Sequence, residues 1–290
     1  IVFQGAMHSL NAVHRIGDQI AEPIVLHGRR QFDDTTQGHA ENGAGMRQRG
    51  DERGWALLDA LLEDESGPDL ALLAATVLGL PERGRYAVAV VPVHGRTGSH
   101  PAGAQGMRLL WRSRPDRDIA VVALGEADPA AVAALLTDAG PGPGGVSPVV
   151  DGLSALGTAR ALADAALLTC GPGGERVVCL DGRVPAALVA GQPALAAYLA
   201  TDIFGALLAR DPADRALLVS TLDAWVECGG SAGRTAVRLC CHRNTVLNRL
   251  RRLEDLTSRS LSRPRELVEV MLALDAVRLG RGANSSPLGD

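Results

Sequence analysis

The densest group of side chains able to do chemistry lies between Ser231 and Arg252, in SAGRTAVRLCCHRNTVLNRLRR. This segment holds six arginines and one histidine and has no Asp or Glu. Arginine presents a fork of N–H donors that fits phosphate and the guanine edge, and asparagine pairs with the adenine edge in the same two-pronged way. Placed on a helix, Val246, Leu250 and Leu253 form one stripe at i, i+4 and i+7. Asn244, Asn248 and Arg251 then emerge on the opposite face, with Thr245 and Arg252 on one flank and Leu247 on the other. His242 and Arg243 stand at the start of that helix, where backbone N–H groups favour a phosphate. An arginine-rich amphipathic helix is often only a solvated surface, but such a surface mixes charge signs, as Glu254 and Asp255 do just beyond. Freedom from acids instead marks a footprint for a polyanion. The candidate DNA-contacting residues are Ser231, Arg234, His242, Arg243, Asn244, Thr245, Asn248, Arg249, Arg251 and Arg252.

Other constellations carry less. Gly173–Gly174–Glu175 has one acid beside a glycine turn, but two-metal phosphoryl chemistry wants a further carboxylate. The loop GPGPGG at 140–145 looks like a phosphate cradle, yet its prolines remove N–H donors and no Gly-Lys-Ser/Thr follows. His94 and His100 lack a third ligand in register for zinc. Cys240 and Cys241 read as filling of a tight turn. No catalytic residue, no metal ligand and no cofactor is assigned.

These side chains need elements to hold them. Gly229–Gly230 ends a helix over Pro212–Cys228, Ser231 caps a short helix with Ala232, Ala236 and Leu239 on its apolar face, and His242 caps a helix over Arg243–Leu256. That is a helix-turn-helix, followed by a last helix to Leu279. Upstream, helical spacing runs through Trp55–Leu62 and Leu70–Leu78. Strand-type runs follow at Tyr86–Val93, Met107–Trp111, Ile119–Leu124, Val146–Val150 and Arg176–Leu180, with helices at Pro129–Asp138, Leu153–Thr169 and Ala194–Arg210. Residues 1–6, IVFQGA, read as an expression-tag remnant before Met7. Residues 7–53 are polar, with a short helix through Val13–Leu26 and loop beyond. The fold class expected is α+β: a small α+β or α/β sandwich with helices over one sheet at 54–183 behind a helical lead-in, a helical connector at 184–215, an all-α helix-turn-helix domain at 216–280 and a tail at 281–290.

Composition narrows the function. The chain has 290 residues, 46% of them hydrophobic, which is enough for two domains with real cores. Aromatic residues make up only 3%, too few for a platform that stacks RNA bases. The five cysteines show no paired spacing, which argues for a reducing compartment and against a disulfide framework. No apolar run is long enough to span a membrane, so the expected location is the cytoplasm. All 29 basic residues are arginine, a genome-composition signature, and the net charge is −4. The remainder of the chain is therefore more acidic than the total suggests.

From about Ala216 to Leu279 the sequence strongly resembles the C-terminal DNA-binding domain of PucR/CdaR-type bacterial transcriptional regulators. The resemblance rests on LDAWVECGG, a Thr-Ala-x-x-Leu helix, HRNTVLNRLRRLEDLT and LVEVMLALDA. It implies a Fis-like helix-turn-helix with His242, Arg243, Asn244, Thr245, Asn248 and Arg249 at recognition-helix positions. Leu247 departs from the family, which often has a basic or aromatic residue there. A weaker similarity through ALLDALLEDE, LALLAATVLGLP, YAVAVVPV and GVSPVVDGLSALGTARALADAALLTC implies a ferredoxin-like, GGDEF-like central sandwich without the cyclase motif. The function expected is sequence-specific transcriptional regulation by a homodimer or higher oligomer on palindromic double-stranded DNA, modulated by a small-molecule effector. The alternatives are a nucleotide-processing enzyme on the cyclase-like domain and a protein-interaction regulator using the basic helix.

Overall fold

The computed structural model describes residues 53–63, 68–93, 100–101, 103–104, 106–140, 142–171 and 176–283. The expectations for 1–52, for His94, for the Gly173–Gly174–Glu175 turn and for the end of the tail lie outside them.

Two helices lead in, α1 (53–62) and α2 (Pro68–Leu78). Then come β1 (Arg85–Pro92), β2 (Arg108–Ser113), β3 (Arg117–Ala123), α3 (Pro129–Ala139), β4 (Gly144–Val146), β5 (Val150–Asp151), α4 (Leu156–Leu167, after one turn of 3₁₀ helix) and β6 (Val177–Cys179). The strands form one mixed sheet in the order β2-β3-β1-β4-β6, with β5 also on β1. β1 runs antiparallel to β3, β4 and β5, whereas β4 and β6 are parallel.

β1 is an unbroken apolar run because both faces of the sheet are covered. Tyr86, Val88 and Val90 enter one core with Leu58, Leu61 and Leu62 of α1 and Leu156, Ala159 and Ala163 of α4. Ala87, Ala89 and Val91 enter the other with Val132 and Leu136 of α3. The period of two along a strand sorts the same sequence into two cores.

The expected strand at Val146–Val150 is divided in two. Pro148 has no N–H to give the ladder, and Ser147 substitutes locally. Its backbone N–H donates to Val88 O at 2.9 Å, and its hydroxyl accepts from Val88 N at 2.9 Å. The glycines read as a turn at 140–145 have a packing reason. A Cβ on Gly145 would stand 2.1 Å from Ala163 O and 2.5 Å from Leu167 N, so α4 crosses β4 backbone to backbone.

Beyond the sheet the chain is helical: α5 (Val184–Ala190), α6 (Pro193–Leu208), α7 (Pro212–Glu227), α8 (Ala232–Arg238), α9 (Arg243–Thr257) and α10 (Pro264–Ala283). The short α5 escapes the periodicity reading. Ile203, Phe204 and Leu207 of α6 are buried with Leu218 and Leu222 of α7, Val246, Leu250 and Leu253 of α9 and Val270 and Leu274 of α10. The segment expected as a connector thus puts its second half into the core of the helical region. Among the described residues, no single helix is long and apolar enough to cross a membrane.

Candidate nucleic-acid interface

The geometry around α8 and α9 is set by two helix stops of the same kind. α7 ends with Gly229 in the left-handed region at φ 61°. Gly230 N–H returns to Trp225 O and Gly229 N–H to Val226 O, each at 2.9 Å. α8 ends in the same double hydrogen bond, from Cys241 N–H to Ala236 O at 3.0 Å and from Cys240 N–H to Val237 O at 3.2 Å. This pair of returning bonds is the Schellman stop, which satisfies carbonyls that the helix end leaves open. Its left-handed position normally takes glycine; here Cys240 occupies it at φ 49°. Cys241, the next residue, packs against the core that holds Ala236, the apolar contact that accompanies such a stop. The five cysteines are all free thiols.

Two side-chain caps start the helices. The Ser231 hydroxyl accepts from Arg234 N–H, and His242 Nδ1 accepts from Asn244 N–H at 3.2 Å. Both caps stand at the positions read from the sequence. Capping commits Ser231 and the His242 Nδ1 to their own helices, which leaves the other nitrogen of the His242 ring facing outward as an exposed group.

Val246, Leu250 and Leu253 are the buried stripe of α9. Asn244, Asn248, Arg251 and Arg243 are exposed, and Thr245 and Leu247 are half-buried at the flanks. The remaining arginines divide into two groups. Arg249 turns back to Thr221 Oγ1 of α7 at 3.5 Å. Arg252 is paired with Asp214 of α7 at 2.7 Å, and Arg238 with Glu227. Asp214 also holds Arg210 at 2.5 Å, and the Arg210 and Arg252 guanidiniums keep its carboxyl below the usual range. Arg234, Arg243 and Arg251, by contrast, show no carboxylate partner among the described residues. The candidate set therefore resolves into a forward group of Arg234, Arg243, Asn244, Asn248 and Arg251 and a rearward pair, Arg249 and Arg252, that braces α9 against α7.

Val237 escaped the sequence reading. It lies on α8 between Arg234 and Cys240 and is 81% exposed, the most exposed large apolar side chain among the described residues. Its signal was present, since an apolar residue outside the Ala232–Ala236–Leu239 face of α8 has no core to join.

The far end of α9 is fixed by a polar turn. Glu254 accepts from Leu261 N–H at 2.8 Å, and Glu266 accepts from Ser260 N–H at 2.6 Å. Arg259 bridges Glu269 and Asp202, which ties this turn to both α10 and α6.

A helix of 15 residues, ~22 Å long, with acid-free Asn and Arg on its outer face and a capped short helix crossing before it, has the form of a major-groove reader. Residues 218–276 match the family model of the PucR C-terminal helix-turn-helix domain. These residues are a PucR-type helix-turn-helix. The PucR domain takes in most of α7, all of α8 and α9 and the first part of α10. The chain is also 33% identical to uncharacterized proteins of Mycobacterium tuberculosis and Mycobacterium bovis, over 35% of its own length and 23% of theirs. It thus spans less than a quarter of the length of those relatives. The crystal structure of a regulator of polyketide synthase expression from Bifidobacterium adolescentis matches 80% of this chain and 93% of its own, at 20% identity and a TM-score of 0.36.

Proposed function

We propose that this protein is a sequence-specific transcriptional regulator that reads palindromic double-stranded DNA as a homodimer or higher even oligomer. The observation that carries the reading is the outer face of α9 within a PucR helix-turn-helix domain: Asn244, Asn248 and Arg251 exposed together, with no acid in the segment. Asn244 and Asn248 supply two-pronged contacts to base edges, and Arg251 reaches guanine or backbone phosphate. Arg243 and Arg234 lie at the starts of α9 and α8, where the helix N-terminal N–H groups add to their pull on phosphate. Val237 lies against sugar or a thymine methyl, which accounts for an apolar side chain held in water. One such module buries too little surface for operator-level specificity, about 600–1,000 Å², and pairing doubles it.

In this reading the sheet region, GGDEF-like but without the cyclase turn, is regulatory and not catalytic. A small-molecule effector acts there by binding one arrangement of the oligomer better than the other. The work is cytoplasmic.

The test is selection of genomic fragments by the purified protein at low and moderate salt, with Asn248→Ala in parallel. Enrichment of an inverted repeat that weakens steeply with salt, and that loses its base preference in the variant, is the expected result. Equal retention of all fragments by both proteins, or no retention at either salt, rules the reading out.

A further inference from the structure

Between Val184 and Thr201 the sequence VPAALVAGQPALAAYLAT contains no charged residue and no histidine. A charge-free stretch is ordinary inside a core. Here much of it is on the surface: Leu188 is 67% exposed, Leu195 66% and Tyr198 70%. Pro193, Ala194 and Ala197 are exposed beside them. The first half of α6 therefore projects an apolar surface, while its second half, Ile203–Leu207, is locked in the core that holds α9. Together with half-exposed Val184, these side chains present on the order of 400 Å² of apolar surface, within the range of the largest patch on a soluble protein, which is often a functional one.

A hollow lies beside the projection. A groove of about 710 Å³ runs between α6 and the end of α10, walled by small side chains such as Ala196, Ala200 and Ala276. Leu195 and Tyr198 thus stand next to a cavity formed partly by their own helix. Protrusion and hollow on one patch are what a two-fold contact requires, because each copy must offer the other both halves of the fit.

We propose that the first half of α6, with the adjoining groove, is the surface on which a second copy of this chain docks. Leu195 and Tyr198 of each copy enter the groove of the other. The patch suits this occupant better than a charged one. Its α6 half offers no ion-pairing group between Arg183 and Asp202. The one charged side chain among the described residues lining the groove, Arg215, is turned to Leu208 O at 3.0 Å. Two apolar α6 faces thus meet around a two-fold axis without like-charge repulsion between them. The apolar side chains supply about half of the roughly 800 Å² per partner of a stable interface, and the groove walls and rim complete it. The proposal rests on the reading of the protein as a paired DNA reader and explains how pairing reaches the DNA. Because α6 continues rigidly into the core behind α9, contact at its first half fixes the separation of the two recognition helices.

The experiment is sedimentation of the purified chain without DNA, for the wild type and for Leu195→Glu and Tyr198→Glu. Leu72→Glu on α2, also a surface leucine at 57% exposure, is the control. The expected result is a wild-type and Leu72→Glu dimer, with association weakened at least about a hundredfold by either α6 variant, since a carboxylate is costly in an apolar contact. Unchanged helical circular dichroism in the α6 variants shows that folding is intact. A wild-type monomer overturns the proposal, including one that floats with phospholipid vesicles. A dimer that survives both α6 substitutions overturns it equally. Neither outcome depends on DNA, so a dimer that binds no duplex counts against the reading of α9 and leaves this interface standing.

Discussion

Asn248, Arg251 and Arg252 sit within five positions of one another and differ in what holds them. Asn248 is exposed and free to reach a base edge. Asn248→Ala is expected to cost about 1–3 kcal/mol at one operator position and to relax choice there. Arg251 and Arg252 look equivalent in sequence, yet Arg252 is already held by Asp214. Arg251→Ala should weaken binding to every sequence and lower the slope of log affinity against log salt by about 1. Arg252→Ala should change that slope less. A salt titration on one fixed duplex separates the two, and equal slope changes would remove the distinction. Glu266 makes a second prediction at this scale. The Ser260 N–H, and then the Arg263 guanidinium, hold its carboxyl below the ordinary range. Its contribution to stability is therefore complete above the pKa of an unfolded glutamate, about 4.3, and fades as pH falls from there through the lower folded value. Urea midpoints of the wild type and Glu266→Gln should differ near neutrality and converge in acid.

At the scale of elements, the turn between α8 and α9 decides how the reader is presented. Cys240 holds a left-handed conformation that costs an L-residue roughly 1–2 kcal/mol, and a β-branched residue suffers more. Cys240→Val should lower stability by about 1–2 kcal/mol. Cys240→Gly should leave it unchanged or raise it by up to about 1 kcal/mol, since relief of strain is partly offset by the freer unfolded chain. Thermal unfolding of both variants checks the sign. If Val is tolerated as well as Gly, the left-handed stop is not a constraint. The buried stripe of α9 is a harder constraint. Leu253 is 1% exposed among residues of four helices, so Leu253→Ala should cost about 2–5 kcal/mol and weaken duplex binding through loss of the α9 platform.

On the scale of the whole molecule, charge and apolar surface are segregated. The arginines of Ser231–Arg252 sit in a chain of net charge −4, so the potential around one segment is opposite in sign to that of much of the rest. The charge-free stretch of α5 and α6 is as one-sided in apolarity. How far this was legible from sequence varies by feature. The buried stripe of α9, the Ser231 and His242 caps and the paired glycines after α7 follow from spacing and residue type, because helix period and capping are local physics. The strands β1 and β3 are equally local, being apolar runs bounded by turn residues. The helix α5 was expected only as part of a helical connector, because seven residues of mixed small apolar character carry too little periodicity to mark their own ends.

What the sequence determined by itself is the α+β order of elements and the place of the helix-turn-helix, since hydrophobic period, caps and an acid-free run need no partner to be seen. What only the tertiary structure decided is which arginines are free. Arg249 and Arg252 are held against α7 by Thr221 and Asp214, 28 and 38 positions away, and no local pattern encodes a contact across that distance. The same holds for α6: only the packing of its second half with α7, α9 and α10 leaves Leu195 and Tyr198 outside.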